Sequence, residues 1–212
     1  PASRNIEAEL RAEEKRRSLD VFIELIRDPL VRLVLLMGLF ILFYNHGMNH
    51  WLPDLLRSYG MTPTEAGYWA AIPTLFGMVA SLSLPRMATP DKRFRILMGL
   101  FVCAAVATVM VWAASGALLA AGLVLQGMCR GAMTSISILL LIESGDGKTS
   151  RVGAASGLYF SVGEIGGVLG PMSMGILAHT TGDFDASLFM MFGVACLLML
   201  ILMRLRGIQL RA

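Results

Sequence analysis

The chain has 212 residues, of which 56% are hydrophobic and 16% are charged, and its formal net charge is +3. A water-soluble domain carries about 25% charged and about 45–50% apolar residues, so this composition excludes an ordinary soluble protein. The basic excess does not indicate a nucleic-acid-binding surface, because the Lys and Arg residues are confined to particular segments between apolar stretches.

Six apolar stretches follow one another along the chain, and each has the roughly 20 residues that a helix needs to cross a bilayer core of about 30 Å. Few charged residues fall inside them, and no segment alternates like a strand. The predicted fold class is therefore an all-α integral membrane protein with a bundle of six transmembrane helices. The expected spans are Leu33–Leu56, Ala66–Leu84, Phe94–Ala114, Ala117–Ile142, Val152–Ala178 and Ala186–Met203.

A short amphipathic segment precedes the first span. Leu19, Phe22, Ile23 and Ile26 recur at helical spacing, which predicts a helix that lies along the cytoplasmic membrane surface. The residues that follow Pro1 are charged and helix-prone, with no initiator Met and no cleavable signal peptide. This pattern is typical of an interior linker, so we expect the chain to be a fragment of a longer protein.

The basic residues predict the orientation in the membrane. Of the 18 Lys and Arg residues, 16 lie on the side shared by both chain ends, Arg57 lies on the other side, and Arg130 lies within a span. The positive-inside rule then places both ends in the cytoplasm, with the protein in the cell (inner) membrane. We expect a cytoplasmic linker and amphipathic helix over residues 1–28, a transmembrane domain over 29–206 and a cytoplasmic tail over 207–212.

Two ionisable residues, Arg130 and Glu164, fall near the middle of predicted spans. An arginine at this depth costs about 2.5–3.5 kcal/mol on insertion scales, so such a residue is expected to face a cavity or a partner. The planar donor fork of Arg130 suits an anionic substrate; the alternative is a structural cation paired with Glu164 or with helix-end carbonyls. Glu164 in turn either carries a coupling proton or belongs to that ion pair.

Polar and small residues share the fourth span with Arg130. Gln126, Arg130 and Thr134 follow a four-residue step, which brings them to one face of the helix, and we predict all three as substrate-binding residues. Gly127 and Gly131 lie on the adjoining face and form a small-residue pattern suited to close helix contact. One face is expected to line a cavity while its neighbour packs.

The first span carries a polar strip in its second half. Tyr44 and Asn45 begin it, Asn49 follows Asn45 by four residues, and His46 and His50 form a second pair at the same spacing. Two histidines at this spacing can bind a metal, but no third ligand accompanies them, so no metal site is predicted. No cofactor motif is present either.

Three stretches together resemble the major facilitator transporters. The segment from Arg27 to Arg32, with the helix end Trp51–Leu56, resembles the central linker and seventh helix of that family. The basic turn from Pro85 to Arg95 is similar to the signature loop between the second and third helices of each half, although the usual acidic residue near its start is absent. The run from Gly163 to Pro171 is similar to the Gly-Pro motif on the fifth helix of each half.

This resemblance implies a secondary active transporter that moves a small solute by alternating access. The chain would supply helices seven to twelve, and the partner would be a missing N-terminal six-helix half. Because the seventh helix of the family lines the central cavity, Tyr44, Asn45 and His46 are predicted substrate contacts. An organic anion, which Arg130 favours, and efflux of an amphipathic compound both remain open as the transported substrate.

A membrane-embedded enzyme and a stand-alone six-helix protein are the rival readings. The stretch Gly153-Ala-Ala-Ser156-Gly157 has the wrong spacing for an intramembrane serine protease, and no nucleotide-binding glycine loop is present. We therefore predict no enzymatic activity, no cofactor and no nucleic acid partner. The expected partners are a small-molecule solute and the lipid bilayer.

Overall fold

The computed structural model describes residues 24–113, 116–143 and 149–210, and within these residues it contains six α-helices and no strand. All six are long and apolar enough to cross a membrane, which confirms the predicted all-α bundle. Most of the predicted amphipathic helix lies outside the described residues; residues 24–27 form a helical turn directly before the first span. The helices are α1 (Pro29–Ser58), α2 (Pro63–Met87), α3 (Pro90–Trp112), α4 (Gly116–Glu143), α5 (Thr149–Thr181) and α6 (Asp185–Gln209).

The helices begin at capping signals that lie outside the apolar stretches. The side chain of Asp28 accepts a hydrogen bond from the backbone N–H of Leu30 at 2.8 Å, and Thr62 forms a capping box with Glu65 ahead of α2. A proline opens each of α1, α2 and α3. At the other end of the chain α6 continues to Gln209, so the first part of the predicted tail is helical.

The bundle is held by a few extensive helix pairs. α1 packs most closely on α5, α2 packs on α4, and α3 packs on both α4 and α6. Large side chains with almost no exposed surface fill the spaces between these helices, among them Tyr44, Phe101, Leu123, Tyr159 and Leu198. The core is therefore shared by the helices rather than confined to one pair.

Glycines allow the closest backbone contacts. A side chain on Gly131 would collide with the carbonyl oxygen of Gly77, and one on Gly127 would collide with the backbone of Pro73. On α5, Gly166 meets the backbone of α1 in the same way. The predicted small-residue face of α4 is thus confirmed, because only glycine permits α2 and α4 to approach this closely.

Two helices are covered far less than the others. Within its most apolar window, α2 has 11% of its residues buried and α5 has 28%, compared with 44–50% for the other four. Both have the composition of membrane spans, so the described part of the chain leaves one broad apolar surface on each of them. A cavity opens beside α2.

Candidate solute-binding site

The candidate site is a cavity of about 460 Å³ between α1, α2 and α4. Polar side chains from all three helices line it, and where its wall is formed by glycine the backbone itself borders the cavity. The lining residues are Asn45, His46, Asn49, Pro73, Thr74, Gly77, Met78, Ser81, Gly127, Arg130 and Gly131. Three residues predicted as substrate contacts, Asn45, His46 and Arg130, are thus brought together.

Arg130 is the positive charge of this cavity. Its Nη2 donates a hydrogen bond of 2.8 Å to Oδ1 of Asn49, while Nε and Nη1 are enclosed by the protein without any hydrogen-bond partner among the described residues. Within the same residues no carboxylate lies in ion-pair distance of the guanidinium, so Arg130 and Glu164 do not form a salt bridge in this structure. In the part of the chain that the structure describes, the hydrogen-bond partner of the cation is thus one neutral amide.

A second contact runs parallel to the first. Nδ2 of Asn45 lies 3.5 Å from Oγ1 of Thr134, one helical turn along both helices from the contact between Asn49 and Arg130. The antiparallel helices α1 and α4 are therefore joined by two polar contacts, and on each helix the two contact residues are four positions apart. Oδ1 of Asn45 is buried and has no partner within the described residues, so this seam offers an acceptor as well as donors.

Gln126 continues the polar face of α4 but does not line the cavity. Its side chain has no exposed surface, and neither its amide nitrogen nor its amide oxygen has a hydrogen-bond partner within the described chain. A buried polar group without a partner costs about 1–3 kcal/mol. Gln126 therefore adds a second unsatisfied group next to Arg130 along the helix.

Tyr44 lies on a different side of α1. Its hydroxyl donates to the carbonyl oxygen of Ala104 at 3.1 Å and lies 2.9 Å from Oγ1 of Thr108, both on α3. The side chain has no exposed surface and is not part of the cavity lining. Its position is that of a packing residue whose polar atom is fully satisfied.

Glu164 is exposed on α5 and lies close to the edge of the cavity. A Cβ atom added to Gly167 would be 2.5 Å from Nδ1 of His46 and 3.1 Å from Oε2 of Glu164. The imidazole and the carboxylate therefore approach the same point from α1 and α5, although they do not form a direct ion pair. The missing side chain of Gly167 is what leaves them this space.

Asn49 and Thr74 are site residues that we did not predict as substrate contacts. Asn49 follows Asn45 by one helical turn, so the spacing that singles out Asn45 also applies to it. Thr74 was not singled out, because its one polar partner on the same face of α2, Ser81, lies about two turns away. Within the described residues no group of three or more His, Cys, Asp or Glu side chains could hold a metal ion.

A family model, the Major Facilitator Superfamily, matches residues 2–146 of the chain. The chain belongs to this superfamily. The resemblance noted in the sequence is therefore confirmed. The bundle is accordingly a multi-pass membrane protein whose family binds small solutes within a lipid bilayer.

Two curated relatives show how much of such a transporter the chain represents. It is 29% identical over 177 residues to a quinolone resistance transporter of Acinetobacter baumannii, a match that covers 80% of this chain and 40% of the relative. It is 26% identical over 161 residues to a provisionally named tartrate transporter of Agrobacterium vitis, covering 73% of this chain and 35% of the relative. The chain thus matches less than half the length of either relative.

Proposed function

We propose that this chain is the C-terminal six-helix half of a secondary active transporter that moves a small organic anion by alternating access, and that Arg130 binds the anion. The observation that carries the proposal is the guanidinium of Arg130, which lines a cavity about halfway along α4 and has, among the described residues, no counter-ion and two nitrogens without a partner. A carboxylate would supply both the charge and the acceptors that this group lacks.

The energetics favour a ligand over a structural role. A charge inside a membrane span is costly, and such residues normally pair with one another or line a water-filled cavity. Within the described residues the guanidinium donates one hydrogen bond, to the uncharged amide of Asn49, and most of its five N–H donors remain unused. A carboxylate that accepts two of these donors forms the short, charge-assisted bonds for which arginine is suited.

The uncovered surfaces of α2 and α5 support a second six-helix half as the partner. These two helices are apolar but poorly buried within the described chain, and the matched relatives are more than twice as long as the matched segment. A second bundle against α2 and α5 would close the cavity on its open side. We propose that this half belongs to the same polypeptide, in the inner membrane with both ends of the present chain in the cytoplasm.

Uptake by proteoliposomes tests the proposal, with radiolabelled tartrate and a panel of small carboxylates as probes. The protein should carry the preceding half encoded upstream, and the present chain alone serves as the comparison. We expect Arg130→Gln to lower carboxylate uptake by at least about 30-fold, because about 2–5 kcal/mol is lost when one partner of a buried charge pair is removed. Arg130→Lys keeps the positive charge but lacks the planar donors of the guanidinium, so it should retain a fraction of the uptake.

The matched control is Arg57→Gln. Arg57 is exposed in the last turn of α1, about two turns beyond Asn49, where it pairs with Asp54 at 3.3 Å. Its substitution removes the same charge without touching the cavity, so uptake should stay within about twofold of the unmodified protein. Equal uptake by the Arg130→Gln and Arg57→Gln proteins would rule out the anion clamp.

Glu164 and His46 support a second part of the proposal, proton coupling. His46 lines the cavity with Arg130, and its Nδ1 shares the space beside Gly167 with the carboxylate of Glu164. A proton shared by these two groups would change the charge opposite Arg130 as the substrate anion enters or leaves. Histidine titrates in the range in which such coupling operates, between about pH 5 and 8.

The pH dependence of uptake tests this coupling. We expect Glu164→Gln to abolish the acceleration of uptake by an inward proton gradient, whereas Asp54→Asn, at an exposed acid outside the cavity, should leave it intact. Because the chain has three histidines, their imidazole NMR signals can be followed separately. At one fixed pH, Glu164→Gln should move the imidazole chemical shifts of His46 and leave those of His50 and His179 in place; unmoved His46 signals would remove the pair from the mechanism.

Efflux of an amphipathic compound is the second candidate, and the name of the Acinetobacter baumannii relative favours it. The two candidates differ in their dependence on Arg130. An efflux pump for uncharged or cationic amphipathic compounds should expel its substrates equally well after Arg130→Gln. Accumulation of a cationic dye without a carboxylate, in cells that express each variant, separates the two.

A further inference from the structure

A second, unassigned cavity lies at the end of the bundle where α3 begins and α6 ends. Its volume is about 450 Å³, and it is separate from the Arg130 cavity because the two share no lining residue. Charged and apolar side chains alternate around it. The lining residues are Asp91, Phe94, Arg95, Arg206, Gln209 and Leu210.

Two arginines dominate the charge of this cavity. Arg95 comes from the second turn of α3 and Arg206 from the last turns of α6, and both side chains are exposed. The guanidinium carbon of Arg206 lies 4.8 Å from the centre of the Phe94 ring, a cation–π contact that orients the side chain without neutralising it. Asp91 supplies one negative charge, so the cavity keeps a net charge of +1.

The surroundings of the cavity are those of a membrane boundary. Leu210, in its lining, is 78% exposed, and Leu200 and Met203 lie exposed on α6 toward the apolar part of the helix. Leu200 and Met203 also line a further cavity of about 400 Å³, together with Arg204 on the same helix. A positive cavity on a helix that also exposes apolar side chains offers partners for both parts of an anionic phospholipid, the phosphodiester headgroup and the acyl chains.

We propose that the cavity formed by Arg95, Phe94 and Arg206 binds the headgroup of an anionic phospholipid, such as phosphatidylglycerol. The guanidinium groups hold the phosphodiester oxygens, and the acyl chains lie along the apolar side chains of α6. Basic pockets between membrane helices bind anionic headgroups in this way. The site is independent of the solute site, so transport by Arg130 and lipid binding can succeed or fail separately.

Lipid retention by the full chain tests the proposal. The protein is purified in detergent, incubated with phosphatidylglycerol or phosphatidylcholine, and weighed by native mass spectrometry. We expect phosphatidylglycerol to be retained preferentially, and Arg95→Gln and Arg206→Gln each to lower its retention about fivefold, the effect of one basic side chain near an anionic surface. Asp91→Asn should raise retention, because it removes the carboxylate that repels the phosphodiester.

The controls separate a defined site from general attraction. Arg86→Gln removes an exposed arginine at the same end of the bundle but outside the cavity, so it should change retention less than twofold. The double variant Arg95→Lys/Arg206→Lys keeps both charges and should retain phosphatidylglycerol, which would attribute the loss in the Gln variants to the missing positive charge.

Three results would overturn the proposal. An Arg86→Gln effect as large as that of Arg95→Gln would show only diffuse attraction. Equal retention of phosphatidylcholine would show that the anionic headgroup is not recognised. Displacement of phosphatidylglycerol by inorganic phosphate at low millimolar concentration would make the cavity a site for soluble anions instead of lipid.

Discussion

Tyr44 and Asn45 are neighbours on α1, but they face different regions. The polar groups beside Tyr44 are hydrogen-bonded, whereas several polar groups beside Asn45 have no partner within the described chain. On the Tyr44 side, the hydroxyl bonds to the carbonyl oxygen of Ala104 and to Thr108, and nothing polar is left over. On the Asn45 side, Oδ1 of Asn45 and two nitrogens of Arg130 have no partner within the described chain.

The difference shows that unsatisfied groups in this bundle are not a general failure of packing. Buried polar groups are normally paired, and in a membrane the cost of leaving one unpaired is high. On the Tyr44 side of the same helix, at nearly the same depth, the hydroxyl is fully hydrogen-bonded. The unpaired groups beside Arg130 are therefore the ones that the proposed anion would satisfy.

The largest effect on stability is expected from the wall of the cavity. Gly131→Ala places a methyl group against the carbonyl oxygen of Gly77, and the backbone of α2 cannot move aside cheaply. We expect a loss of about 1–3 kcal/mol, the range for overpacked sites, together with reduced uptake as α2 and α4 separate. The measurement is thermal unfolding in detergent.

Gly99→Ala is the matched control for this change. No atom lies within 4 Å of a side chain at this position on α3, so the substitution should be neutral or stabilising by up to about 1 kcal/mol. If both variants unfold at the temperature of the unmodified protein, α2 and α4 are not held together by the close contact described above.

A smaller loss is expected on the satisfied side of α1. Tyr44→Phe removes the hydroxyl that bridges to α3, and Thr108 keeps its own bond to Ala104 at 2.8 Å. Stability should therefore fall by about 0.5–1.5 kcal/mol, the net contribution of one hydrogen bond, while uptake remains. Uptake that fell with little change in stability would return Tyr44 to the substrate site predicted from the sequence.

Gln126 should give the smallest change in stability and one of opposite sign. Gln126→Leu replaces an unpartnered buried amide with an apolar side chain of similar size, so unfolding should become harder by up to about 1 kcal/mol. Uptake should decrease if Gln126 contacts the substrate, as its spacing from Arg130 predicts. Destabilisation instead would reveal a bound water or another partner for the amide.

Much of the fold follows from the sequence, because the length of an apolar stretch and the cost of unpaired backbone groups in lipid leave a helix as the only solution for each span. The close contact at Gly127 and Gly131 was also predictable, since small residues four apart form one face. The helices begin at capping residues such as Thr62, outside the apolar stretches, so the observed helix bounds differ from those of the predicted spans.

The site was predictable only in part. The position of Arg130 within a span, and the resemblance that makes α1 a cavity-lining helix, led to the predictions for Arg130, Asn45 and His46, but neither could show that Asn49 is the residue bonded to the guanidinium. They also could not separate Tyr44 from Asn45, because adjacent residues on a helix point about 100° apart and only the arrangement of α3 and α4 around α1 decides which one meets the cavity. The nearness of Glu164 to His46 depends in the same way on how α5 packs against α1.

Equilibrium binding of a radiolabelled carboxylate to the purified protein tests the central claim most directly. Scintillation proximity with tartrate as the first probe, on unmodified, Arg130→Gln, Arg130→Lys and Arg57→Gln proteins, measures the anion contact apart from transport. We predict that Arg130→Gln abolishes measurable binding, that Arg130→Lys weakens it, and that Arg57→Gln leaves it unchanged. Carboxylate binding that is as tight after Arg130→Gln as before would contradict the account.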